Sequence, residues 1–469
     1  MIKKENLKDI YPLTPMQQGM LFHALYDENS LAYFNQYSLR ISHEINVRVF
    51  EDSWNEILMR YDNLRTVFIT KNVKESMQLI LKHQKIDFYF EDIRWIEKSK
   101  QEIYIKNYQN KDKQRSFDLS KDVLLRIALI QLEKASFQFI FSCHHILTDG
   151  WSTGIILKDF FTIYFARLTH KTPELSTVPL YKNYIQWLMA QDKEKAKNFW
   201  VNYLKDYCQP VTLPHSIRNN EQSFLLKEFS FKLDKTLSEQ LKHLAIKNQV
   251  TLSTVIHAIW GILLGKYNHS DDVLFGSVVS GRPQEVKGID QMVGLFINTI
   301  PIRIQMKPDQ TTDALLKNIQ KQALSSSNYH YYSLADIQSL SPHKYSLFDH
   351  ILEFNNVPFD ADLKETVKKL SNGAGIESLE EFDYPHYDLA VIVMSGDEIQ
   401  FLFIYNGNIY TKDYLINVEA HISRIAASMI YGLQLSDIDI LSDKEKYEIQ
   451  ASKEKLDHIK EQMVVEFDF

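Results

Sequence analysis

The feature that most constrains this chain is a strand-like run that ends on a polar corner and restarts as a helix. Phe137-Gln-Phe-Ile-Phe-Ser-Cys143 is rich in aromatic and β-branched residues, as a buried strand requires. It breaks on the knot His144-His-Ile-Leu-Thr-Asp149-Gly150-Trp-Ser152, and 155–168 then returns to helical periodicity. The same alternation recurs on both sides. Segments 37–41, 64–68, 124–132, 229–233, 273–279, 300–304, 350–354, 387–394 and 399–405 read as strands. Segments 49–61, 181–200, 237–266 (two helices) and 413–431 read as helices. Near the start, Thr14 is placed to cap a helix that opens on Pro15 and carries the stripe Met16, Met20 and Leu21. Gln17 and Gln18 then fall on its solvated face. Thr, Lys, Ser, Pro173 and Pro179 interrupt the pattern over 169–180 and mark a boundary. The expected class is α/β (α+β), divided into 1–175, 176–442 and a charged tail, 443–469, read as a frayed helix or linker.

Charge and cysteine content narrow the function classes. Lys plus Arg number 53 against 60 Asp plus Glu, a net −7, so no basic excess is available to neutralise phosphates and no nucleic-acid partner is expected. Two cysteines, Cys143 and Cys208, form neither a disulfide framework nor a four-ligand zinc site. The N-terminus has no apolar signal-like core, and no apolar run approaches the ~18–20 residues that span a bilayer. The expectation is a cytoplasmic protein with no membrane partner.

The corner itself carries chemistry. A strand end holds an imidazole rigidly, and histidine's ordinary pKa near 6.5 lets it take or hold a proton at cellular pH. Asp149 is close enough to fix the loop by an ion pair or backbone hydrogen bonds. Gly150 supplies conformational freedom and an N–H covered by no side chain. A structural His pair is the competing reading, but His-His-x-x-x-Asp-Gly at a strand end favours function. A metal is disfavoured, because adjacent strand residues point to opposite faces and no third ligand stands at metal-like spacing. Arg65 reads as a salt-bridging structural residue, Trp151 as packing, and Cys143 as a buried strand residue.

At these residues the chain resembles the condensation domains of non-ribosomal peptide synthetases, over about 5–443. Tyr11-Pro-Leu-Thr-Pro-Met-Gln-Gln-Gly-Met-Leu-Phe-His23 is similar to the family's opening motif and Arg60-Tyr-Asp-Asn-Leu-Arg-Thr-Val-Phe68 to its second. Tyr181-Lys-Asn-Tyr-Ile-Gln-Trp187, Phe275-Gly-Ser-Val-Val-Ser-Gly-Arg-Pro283 and Val293-Gly-Leu-Phe-Ile-Asn-Thr-Ile-Pro-Ile-Arg303 follow in family order. The resemblance implies two chloramphenicol-acetyltransferase-like lobes in a V around a substrate tunnel. The floor loop and latch fall in the second lobe. It implies amide formation between a donor peptidyl or aminoacyl thioester and an acceptor aminoacyl amine. Both are delivered on phosphopantetheine arms of donor and acceptor carrier domains, with no intrinsically bound cofactor. By the match, His145 is the active-site histidine, as base or positioning group, and Gly150 N–H the oxyanion donor. His144 and Asp149 are active-site structural residues, Asp149 paired with Arg282. Asn298, Ser152 and Trp151 are candidates to line the tunnel.

The opening motif resembles the branch that takes a D-configured donor and an L-acceptor after an epimerization domain. The Ser-x-Ala-Gln-x-Arg-Leu pattern of the L-donor branch and a second His-His motif are both absent. Residues 2–10 could then dock an upstream epimerization subunit, with an adenylation domain downstream; a disordered leader is the other reading of that segment. Asn328–Ile337 lacks the usual proline, Phe354-Asn-Asn-Val-Pro358 departs from Asn-Tyr-Pro, and the latch region 360–382 is charged. An ester-forming or CoA-dependent acyltransferase and a non-catalytic carrier-docking platform are the alternatives.

Overall fold

A computed structural model describes residues 4–26, 33–71, 73–216, 224–355, 365, 367–369, 375–382 and 387–465. Contacts divide the chain into two compact units. One comprises Met1–Asp206, Gly276–Pro301 and Asn328–Ser395; the other comprises Tyr207–Phe275, Ile302–Ser327 and Gly396–Phe469. Residues 169–180 lie inside the first unit. Among the described residues the strands are β1 (Leu7–Pro12), β2 (Phe34–Ser42), β3 (Thr66–Ile69), β4 (Met77–Leu81), β5 (Asp87–Asp92), β6 (Leu125–Glu133), β7 (Ser136–His144), β8 (Leu226–Lys232), β9 (Asp272–Val279), β10 (Asn298–Gln305), β11 (His350–Asn355), β12 (Gly375–Phe382), β13 (Leu389–Met394) and β14 (Gln400–Asn406).

The first unit is built on a five-stranded sheet in the order β12-β2-β7-β6-β5. β7 lies antiparallel to both neighbours, with Phe34 opposite His144 and Leu125 opposite Cys143. Period-two alternation sorts its residues between two faces. Phe137, Phe139, Phe141 and Cys143 join the core with Phe50 and Trp54 of helix Val47–Arg60 and Phe160 and Tyr164 of helix Gly150–Leu168. Trp54 stacks on Phe160 at 4.3 Å between ring centroids. On the opposite face Ile140 packs with Ile105 of helix Lys98–Gln114. Ser142 there donates to Asp112 Oδ2 (2.5 Å), and Asp112 forms a buried ion pair with Arg126 at 2.9 Å. A rigid, doubly covered strand therefore runs into the His-His corner.

A three-stranded antiparallel sheet, β1-β4-β3, completes this unit's N-terminal part. Tyr11 and Ile80 from it pack with Tyr181, Tyr184, Met292 and Phe296. Leu7–Ile10, read from sequence as a docking segment or leader, is thus a paired strand. β11 lies parallel to β13 and, at Ile351 and Leu352, to β9. Part of the expected latch, Gly375–Phe382, is an edge strand on β2; residues 356–364, 366 and 370–374 lie outside the described residues.

In the second unit β14 and β8 pair antiparallel, with Phe401 opposite Phe231 and the two rings stacked at 4.9 Å. Helix Leu252–Asn268 is its most enclosed element. Gly261 allows Ile304 to approach so closely that a Cβ would lie 2.6 Å from its Cδ1. The tail begins a helix, Asp443–Val465, rather than a linker, and His421 anchors it by bonding Tyr267 Oη (2.7 Å) and Glu445 Oε1 (2.9 Å). Two further boundaries differ from the sequence reading. The single helix expected over 181–200 is two, Tyr181–Met189 and Lys193–Leu204, because Asp192 caps the second. The helix after the corner starts at Gly150, since Asp149 caps it. Among the described residues no single helix is long and apolar enough to cross a membrane.

Candidate active site

Every residue of the corner belongs to the first unit. Where β7 ends, His144 N–H donates to Leu124 O (3.1 Å), still within the sheet edge. The next amide, His145 N–H, donates to Tyr33 O (2.8 Å), and a tight turn follows in which Leu147 and Thr148 N–H donate to the carbonyls of His144 and His145. His144 Nδ1 accepts the Ile146 N–H at 3.1 Å. That contact requires a bare Nδ1, hence the Nε2–H tautomer. Burial, and then the neighbouring His145, push the His144 pKa down to about 3, so this ring is neutral throughout the cellular range. It shores up the turn and takes up no second proton in that range.

His145 is different. Its Nδ1 is buried and has no hydrogen-bond partner among the described residues. Among the described residues no carboxylate meets Nδ1, and the chain on either side of the ring is held by backbone hydrogen bonds.

Asp149 is 2% exposed and caps the helix through Ser152 N–H (2.8 Å). Its other oxygen accepts Phe296 N–H at 3.2 Å, and Arg282 Nη2 lies 3.1 Å from Oδ1. Those contacts occupy the carboxylate, and His145 is not among them. Arg282 also donates through Nη1 to Ile289 O (2.6 Å) and Met292 O (2.9 Å), and its guanidinium lies 4.0 Å from the Phe296 ring centroid. A buried pair tied at both ends in this way holds geometry, and losing one partner strands a charge.

Ser152 belongs to the same knot. It is 0% exposed; its Oγ accepts from Arg282 Nη2 (3.0 Å) and Gly294 N–H (3.1 Å) and donates to Gly294 O (2.8 Å). One donor and two lone pairs are all a hydroxyl has, so Ser152 is committed to structure. Gly294 must be glycine there, because a Cβ would stand 2.2 Å from the Tyr181 ring. Asn298 is likewise engaged, its amide donating to His330 O (2.7 Å) and Tyr332 O (2.8 Å) and its Oδ1 accepting Thr299 N–H. Trp151, expected to pack, is 49% exposed; its Nε1 donates to Asp290 O (2.9 Å), and the Arg282 guanidinium lies 5.8 Å from its ring centroid.

Gly150 is the first helical residue. Its φ is not in the left-handed region and nothing lies within 4 Å of an added Cβ. The conformational freedom expected of this glycine is therefore unused. What its missing side chain leaves is open space beside a first-turn N–H, a group with no acceptor within its own helix. The helix's positive end reinforces that donor toward negative charge.

The profile of the condensation-domain family matches residues 7–450. This chain belongs to that family. This condensation domain is 40% identical over 452 residues to tyrocidine synthase 2 of Brevibacillus parabrevis and 38% identical over 447 residues to gramicidin S synthase 2 of Aneurinibacillus migulanus. The matches cover 96% and 95% of this chain but only 13% and 10% of those proteins, so it spans a small fraction of their length. Among solved structures it resembles the first condensation domain of the calcium-dependent antibiotic synthetase in complex with a substrate analogue, with TM-score 0.73, 15% identity, and coverage of 93% of this chain and 100% of that one. The X-domain from teicoplanin biosynthesis gives TM-score 0.75 at 18% identity, covering 94% and 99%. The mixed α/β architecture is thus the chloramphenicol-acetyltransferase-like fold of condensation domains.

Gln17 too was misplaced by the sequence reading. Assigned to a solvated face, it is 0% exposed, and its Nε2 donates to Ile146 O in the His loop (3.1 Å). The signal was present as Thr14-x-x-Gln17, a capping-box spacing in which Thr14 Oγ1 accepts Gln17 N–H and Gln17 Oε1 accepts Thr14 N–H. Arg65 is buried and bonded to Leu81 O, Leu58 O and Asp62, a structural role.

Proposed function

We propose that this condensation domain joins a donor acyl group, held as a thioester on one carrier's phosphopantetheine arm, to the amine of an aminoacyl group held on another. The acceptor nitrogen attacks the thioester carbonyl; the C–N bond forms, the C–S bond breaks, and the nitrogen's proton ends on the departing thiol. One observation supports this reading: an imidazole at a strand end whose turn is tied down on both sides, five residues before a helix-start glycine with open space about it. An aminoacyl α-amine has a pKa near 7.7–8.0, so much of it is already neutral at cellular pH and needs orientation more than a strong base. His145, lacking an orienting carboxylate, suits that modest task and receives or relays the proton as C–N bonding advances. Gly150 N–H stabilises the oxyanion, a contribution worth about 2.7–4 kcal/mol in comparable sites. Asp149, Arg282 and Ser152 hold the helix start in place and exchange no proton.

The opening motif supports a D-configured donor and an L-acceptor. The assigned partners are donor and acceptor carriers, an upstream epimerization subunit and a downstream adenylation domain, all in the cytoplasm. The test supplies a donor carrier loaded with D- or L-aminoacyl groups together with a carrier-bound amine, a free amine or an alcohol, and reads products by intact-protein mass spectrometry. Transfer only to the carrier-bound amine, with D preferred, is expected. Transfer to an alcohol, or from acyl-CoA, would mark an acyltransferase of another kind. Carrier binding without transfer would mark a docking platform, and preference for L would overturn the branch assignment.

A further inference from the structure

His145 raises a question its ring does not answer. With Nδ1 unpartnered among the described residues, something else must set the direction of the imidazole. The backbone amide of His145 is held by Tyr33 O. The following two carbonyls are held by side chains from distant parts of the sequence. Gln17 Nε2 donates to Ile146 O at 3.1 Å, and Asn63 Nδ2 donates to Leu147 O. Both amides are buried, at 0% and 2% exposure.

Gln17 is fully committed. Its Nε2 donates to Ile146 O and to Gln78 Oε1 (3.3 Å), while its Oε1 accepts Thr14 N–H (2.9 Å) and Gln78 Nε2 (3.0 Å). Two donors and two acceptor sites are all a carboxamide possesses. Gln78 in turn donates to Pro12 O at 2.8 Å, tying the pair to β1. The amide therefore has one orientation, and with it the Ile146–Leu147 peptide plane next to His145.

From these contacts we infer that Gln17, seconded by Asn63 on the next carbonyl, is a positioning residue for His145. It acts through the loop backbone and touches no reacting atom. Misplacing a reacting group by about 1 Å can cost about a hundredfold in rate, so loss of this clamp should appear in turnover more than in carrier affinity.

The inference rests on the role proposed for His145, and the experiment separates the two. Gln17→Glu keeps the acceptor for Thr14 N–H and Gln78 but loses the donor to Ile146 O; Gln17→Ala loses both. Should the alanine variant fail to fold, the glutamate variant decides. Full-length protein carrying ¹³C-labelled histidine rings is compared with each variant, the His145 signal being identified by its loss in His145→Ala. Turnover is measured with a D-leucyl donor carrier and an L-leucyl acceptor carrier. The expected result is a displaced His145 signal and kcat lowered by about tenfold to a hundredfold at unchanged carrier KM. Adding Gln17→Glu to His145→Ala should lower the rate no further, since residues acting as a unit are not additive. An unmoved His145 signal in folded Gln17→Glu overturns the inference whatever the turnover. So does an equal rate loss with and without His145, which would make Gln17 a residue of general stability. A wild-type protein without turnover would count against the proposed reaction, and the ring signal would still decide the role of Gln17.

Discussion

Replacing Gly150 with alanine separates backbone need from the need for space. Glycine is required where φ is positive or a neighbour crowds Cβ, and neither holds at this position. Folding therefore has no use for a glycine here. Alanine restricts the unfolded chain, and at compatible positions that stabilises by about 0.4–1 kcal/mol. At about 2.1 cal/mol/K per residue, a unit of roughly 300 residues shifts by about 1.6 °C per kcal/mol, so the melting temperature should rise by about 0.5–1.5 °C. The new methyl would stand in the open space beside the helix-start N–H, where the account puts the reacting carbonyl. Loss of one oxyanion donor typically costs about a hundredfold to a thousandfold in kcat, and a fall of about a hundredfold is expected. Scanning fluorimetry and single-turnover transfer between loaded carriers measure the two effects on one preparation. A variant that melts below wild type would mean glycine serves the fold. One that turns over at the wild-type rate would mean the space beside Gly150 is not where the carbonyl sits.

Two other perturbations probe the supporting frame. Asp149→Asn keeps an acceptor for Ser152 N–H but strands the buried Arg282, which should cost about 3–5 kcal/mol by denaturant unfolding; wild-type stability with abolished transfer would instead place the carboxylate in the chemistry. Acid should loosen the protein through its buried neutral histidines. Burial lowers His144 to about 3, with His145 adding to it, and lowers His257 and His330 to about 4. The unfolded chain, with histidine near 6.5, then binds more protons between those values, so stability falls as pH drops from about 6.5 toward 4. Urea midpoints at pH 7 and pH 5 should show this, and His144→Asn, whose Oδ1 can still accept Ile146 N–H, should lessen the drop. Equal midpoints would refute it.

How much of this was legible from sequence follows from the range of each signal. The strand-corner-helix unit was readable because it is local: Phe137, Phe139, Phe141 and Cys143 share one face, and the helix after the corner begins within a residue or two of the motif. The Asp149–Arg282 pair came from family resemblance, since nothing within either segment encodes a partner 133 residues away. Gln17 was misread although Thr14-x-x-Gln17 has capping-box spacing, because that spacing fixes its oxygen and says nothing of where its nitrogen donates. A glutamine in a first helical turn looks solvated unless its acceptor, Ile146 O, is known to lie beside it. β1 was missed because Leu7–Pro12 carries Lys8 and Asp9 and acquires strand character only through pairing with β4. Gly150 was read as a source of backbone freedom and of an uncovered N–H; its φ shows the freedom unused, and open space surrounds the position of its missing side chain.

The most direct test of the central claim is transfer by His145→Ala, measured between loaded donor and acceptor carriers by intact-protein mass spectrometry beside a thermal melt. Among the described residues the ring makes no hydrogen bond through Nδ1, so its removal should leave the melting temperature close to that of wild type. Product should fall by about a hundredfold to ten-thousandfold, the range for a lost acid–base or positioning group. A folded His145→Ala protein that forms the amide at the wild-type rate would contradict the account.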